Sequence, residues 1–82
     1  MPDEKTQPVH DFDAGALGCG TGLAAEFRRR LAAIAVGDTL RILTCDPAAR
    51  EDVPALARLL GQRVLAVDTL GDATTITVER TR

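Results

Sequence analysis

Between Gly22 and Val36 the apolar residues Leu23, Phe27, Leu31 and Ile34 recur at spacings of four, four and three. That period places them on one face of a helix. Ala24, Ala32 and Ala35 widen the stripe, and Arg28, Arg29 and Arg30 fall largely off it. Thr21 is placed to cap the start, because a hydroxyl there can accept from a first-turn N–H. Gly37-Asp38 stops the helix and turns the chain.

Shorter patterns flank this helix. A first strand is predicted at about residues 8 to 13, where Val9 and Phe12 are apolar. From Thr39 to Cys45 the chain alternates, with Leu40, Ile42 and Thr44 on one face and Arg41 and Leu43 on the other. Asp46-Pro47 ends that strand. A second helix is predicted at about residues 51 to 60, with Asp52 and Pro54 in its first turn and Gly61 just past its end. Its stripe is Val53, Leu56, Ala57 and Leu60. Two further strands, 62 to 68 and 74 to 79, are joined as a hairpin by Leu70-Gly71-Asp72. The order is β-α-β-α-β-β. Single apolar stripes on both helices predict a two-layer α/β sandwich, with two helices packed on one face of a four-stranded mixed sheet. The last strand is expected at an open edge.

The chain has 82 residues, which bounds it to one domain over residues 7–82, preceded by a flexible polar N-terminus over residues 1–6. Phe12 and Phe27 are the only aromatics, so the core must be aliphatic. A net charge of −2 and so few aromatics argue against direct nucleic-acid binding. No apolar run approaches the roughly 20 residues of a membrane span, and the polar start does not resemble a signal peptide. A reducing compartment with free thiols, the cytoplasm, is therefore expected.

The residue with the clearest chemistry is Cys19, in the run Gly18-Cys19-Gly20-Thr21-Gly22 between the first strand and the first helix. A thiol at a helix N-terminus meets unpaired N–H groups and the positive end of the helix dipole. Both favour the thiolate, which is the reactive form.

A family resemblance gives this junction a role. Asp13-Ala14 with Leu17 and Cys19 before a helix, then Gly37-Asp38 with Leu40, then Asp46-Pro47, Glu51-Asp52-Val53-Pro54 and Leu60-Gly61 together resemble the TusA/SirA-like sulfur-carrier family. The resemblance runs from about Phe12 to Val67. It implies the β-α-β-α-β-β sandwich and a sulfurtransferase-type carrier that relays sulfur as a persulfide on Cys19. A protein sulfur donor, either a desulfurase or a rhodanese-type enzyme, and an acceptor protein are implied as partners, with no cofactor. The family's usual Cys-Pro-x-Pro reads here as Cys19-Gly20-Thr21-Gly22. Without the prolines, Gly20, Thr21 and Gly22 keep backbone N–H donors that could hold an anion or the persulfide. The alternative function is a binding or regulatory module of the same fold, with Cys19 inert or redox-sensing.

Other signals are weaker. Cys45, at the end of a strand, reads as a packing residue, or as a resolving thiol for Cys19 if the two strands are parallel neighbours. Gly18-x-Gly20-x-Gly22 is a poor match to a dinucleotide loop, since its third glycine comes one residue early. Arg28 and Arg29 read as a solvated helix face, or as a docking site for an acidic partner near the sulfur. Asp46 and Asp52 read as turn and cap residues. His10 has no evident role, and no set of about four clustered metal ligands is visible.

Overall fold

In the computed structural model, residues 8–15, 17–18 and 22–82 are described. The elements are β1 (Val9–Gly15), α1 (Leu23–Ala33), β2 (Thr39–Thr44), α2 (Ala49–Leu59), β3 (Arg63–Leu70) and β4 (Ala73–Glu79). The strands form one mixed sheet in the order β1-β2-β4-β3, with β1 parallel to β2 and the other pairs antiparallel. The predicted order and architecture are those observed. The last strand is not at an edge, however. β4 lies between β2 and β3, so β1 and β3 are the edge strands.

Alternation along the strands sets the two faces of the sheet. Leu40, Ile42 and Thr44 of β2 pair with Val78, Ile76 and Thr74 of β4, and all six are buried beneath the helices. Arg41 and Leu43 point to the other, exposed face. The helices close the core with Leu23, Phe27, Leu31 and Ile34 from the first stripe and Val53 and Ala57 from the second. Phe12 and Ala14 close it from β1. Each large side chain buried this way contributes about 1.5–3 kcal/mol, which makes an aliphatic core sufficient for so small a domain. Ala24 only partly joins the α1 stripe, and Ala32 and Ala35 are exposed.

Both helices depart from their expected limits for identifiable reasons. α1 ends at Ala33 rather than Val36 because side chains take over its last backbone groups. Arg80 donates from its guanidinium to the Ala32 and Ile34 carbonyls, and the Asp38 carboxylate accepts from the Ala35 N–H. The Asp38 N–H then donates to the Ala35 carbonyl at 2.9 Å and closes the turn through Gly37.

α2 begins at Ala49, two residues earlier than expected, after a turn in which Ala49 N–H donates to the Asp46 carbonyl. Glu51 and Asp52 then occupy its first turn, where acidic side chains suit the helix dipole. Pro54 falls inside the helix rather than at its start, and is buried there. The helix closes on a Schellman motif, with Gly61 N–H donating to Arg58 O and Gln62 N–H to Ala57 O. Gly61 holds φ 80 for that purpose, as its place in the sequence predicts.

β1 is longer than predicted because parallel pairing with β2 carries it on to Gly15, opposite Thr44. β3 extends to Leu70, opposite Ala73, which leaves a two-residue turn at Gly71-Asp72.

Candidate functional site

The ends of β1 and β2 meet at one end of the sheet, the end from which the chain leaves for α1. Cys45 N–H donates to Gly15 O at 2.7 Å, tying the strand ends together. Thr44, fully buried, accepts the Asp46 N–H on its Oγ1 at 3.1 Å and turns the chain toward α2. Asp46 is thereby held against the segment that follows β1. A Cβ built on Gly18 would lie 3.1 Å from Asp46 Oδ2, so Gly18 is a position where the carboxylate and the backbone approach closely. Sequence reasoning gave Asp46 only a turn role. The parallel pairing of two strands some thirty residues apart is what brings its charge to this place.

Cys19, Gly20 and Thr21 lie outside the described residues. Leu23 N–H donates to Gly18 O at 3.0 Å, linking the start of α1 to the backbone that follows β1. The N-cap of α1 is Gly22, not the expected Thr21, and it adopts φ 108, ψ 5. L side chains rarely adopt that conformation, and glycine does so freely. Among the described residues no side chain caps the helix start. The N-terminal end of α1 is the positive end of its helix dipole.

The two expected docking arginines differ from one another. Arg29 and Arg30 both bond the Glu26 carboxylate, and Arg30 also stacks its guanidinium 4.2 Å from the Phe12 ring centroid. Hydrogen bonds from Arg30 and then Arg29 hold the Glu26 carboxyl below its ordinary range. Arg28 shares in none of this. It lines a groove of about 250 Å³ with Leu31, Leu60, Gln62, Arg80 and Arg82, on a surface with no acidic lining residue. Of the pair, Arg28 is the one that makes no ion pair among the described residues.

Cys45 corrects a sequence expectation. It is exposed rather than packed, because β2 ends at Thr44 and the next residue leaves the sheet. It borders a cleft of about 430 Å³ with Pro47, Arg50, Thr69, Gly71, Asp72 and Thr74. The parallel adjacency of β1 and β2, on which a resolving role was conditional, is present.

Two further pairs were not legible in the sequence. His10 Nε2 lies 3.0 Å from Oδ2 of the buried Asp38. Arg41 grips Asp11 through two nitrogens, at 2.6 and 3.1 Å. The Arg41 hydrogen bond lowers the Asp11 pKa. Both pairs cross from β1 to the β2 region, so only the strand register reveals them. Among the described residues no three His, Cys, Asp or Glu side chains group to hold a metal ion. No helix there is long and apolar enough to cross a membrane.

The elements define a small α/β sandwich in which α1 starts directly after the sequence segment that holds Cys19. The chain matches the Sulfurtransferase TusA family over residues 25–80 and belongs to that family. No individually curated protein matches it. A sulfur-carrier role in general, with partners in sulfur transfer, follows from the family. The matched span starts after Gly22, so it is carried by the scaffold and not by the Cys19 loop.

Proposed function

We propose that this chain relays sulfur as a persulfide on Cys19. The Cys19 thiolate attacks the outer sulfur of a donor persulfide, carried on a desulfurase or rhodanese-type enzyme. An S–S bond forms to Cys19 as the donor's S–S bond breaks, and the donor leaves as its thiolate. An acceptor nucleophile then removes the outer sulfur and regenerates the Cys19 thiolate. Acid–base chemistry belongs to the partners, and this chain acts as the carrier.

The observation that carries the reading is the start of α1, directly after the Cys19 segment in sequence, where no side chain among the described residues caps the helix. Its positive partial charge favours a thiolate or persulfide anion. Backbone donors of Gly20, Thr21 and Gly22 would hold the outer sulfur, and Arg28 rather than Arg29 would meet an acidic partner. The Asp46 carboxylate beside Gly18 opposes the anion, so the helix end must outweigh it. A carrier that works through a free thiol requires a reducing compartment such as the cytoplasm.

Alkylation at neutral pH tests this, with Cys45 as internal control. Cys45 is exposed, so a faster Cys19 reports thiolate character rather than better access. The expected result is Cys19 labelling several-fold faster than Cys45. Equal or slower labelling of Cys19 favours the alternative, a binding or regulatory module with an inert cysteine.

A further inference from the structure

The geometry points to β3 as a self-complementary edge through which two copies of this chain pair antiparallel, joining their sheets into one. β3 is the longest strand and lies at the sheet edge, with β4 its only partner among the described residues. It contains neither proline nor lysine, residues that commonly blunt such edges. Leu65 and Val67 on it are 49% and 40% exposed, and Leu70 at its end is 87% exposed. The opposite edge is guarded differently, since β1 follows Pro8 and carries Asp11 and Asp13.

The bulge in β3 decides which partner fits. Val64 pairs with Val78 and Ala66 with Thr77, so Leu65 is an extra residue. The insertion shifts the alternation by one. Arg63, opposite Glu79, and Asp68, opposite Thr75, therefore share the face away from the helices although they are five residues apart. Val64 and Val67, opposite the buried Val78 and Ile76, share the helix-side face.

A two-fold axis between Leu65 and Ala66 then sets Arg63 of each copy opposite Asp68 of the other, and Val64 opposite Val67. The Arg63–Asp68 and Val64–Val67 pairs match in face, and both charged pairs attract. The next face-consistent register sets Asp68 against Asp68, which repels. Asp68 makes no ion pair within its own chain among the described residues. Arg63 is 69% exposed and only 3.9 Å from Glu79, at the limit of an ion pair, and can turn outward. A second copy supplies the complementary charge twice, by symmetry.

Sedimentation equilibrium on the full chain tests this, raising the concentration to about 1 mM, the weak end of specific association. The wild type should dimerise reversibly. Asp68→Arg should weaken dimerisation about tenfold or more by opposing like charges at both ends. The double swap Arg63→Asp with Asp68→Arg should restore it, and thermal melts establish that each variant is folded. A wild type monomeric throughout overturns the proposal, including when the edge binds a strand of another protein instead. So does Asp68→Arg dimerising as tightly as the wild type, or a double swap that fails to restore a folded variant.

Discussion

The amide of Leu23 donates to the carbonyl of Gly18 at 3.0 Å, and that bond links the start of α1 to the backbone that follows β1. It ties the backbone ahead of Cys19 to the first residue of α1.

Gly22→Ala should destabilise the protein by about 1–2 kcal/mol through backbone strain alone. Gly22 holds φ 108, yet nothing lies within 4 Å of a Cβ placed there. Urea unfolding would register the loss as a lower midpoint with unchanged slope. An unchanged midpoint would contradict the assigned cap geometry.

Asp38→Ala should cost more than His10→Ala, on the order of 1–3 kcal/mol against less than 1. Asp38 is buried and accepts from both His10 and the Ala35 amide. His10 is 43% exposed on its side chain, so its loss removes one partner that water can replace. Thermal melts of the two variants would rank them. Equal losses would show that the Ala35 contact carries no weight.

Glu26→Gln should lower stability slightly at neutral pH, and the difference should vanish in acid. The folded-state pKa of Glu26 is lowered by hydrogen bonds from Arg30 and Arg29. A lowered carboxyl contributes stability that is present above its unfolded value, about 4.3, and lost as pH falls through the folded value. Unfolding midpoints across that range should converge on the acidic side. A gap that persists or widens there would reverse the sign.

The helices and the sheet order along the chain were legible because each stripe follows a single period. Leu23, Phe27, Leu31 and Ile34 needed only 3.6-residue spacing to be found, and the glycine at position 61 announced its Schellman motif. Features set by contacts distant in sequence were not legible. α1 stops early because Arg80 and Asp38 take its last backbone groups, and Arg80 comes from the far end of the chain. Cys45 read as core because its strand alternates cleanly, but the backbone leaves the sheet one residue before it. The central place of β4 and the bulge at Leu65 depend on pairing, which local pattern does not encode. Of the site, chain order alone gave Cys19 its neighbours, whereas the approach of Asp46 to Gly18 required the parallel register of β1 and β2.

The central claim is that Cys19 carries the sulfur, and intact-mass measurement after incubation with a desulfurase and cysteine tests it most directly. The wild type and Cys45→Ser should each gain one sulfur atom that reductant removes, and Cys19→Ser should gain none. No adduct on the wild type, or an equal adduct on Cys19→Ser, would contradict the account.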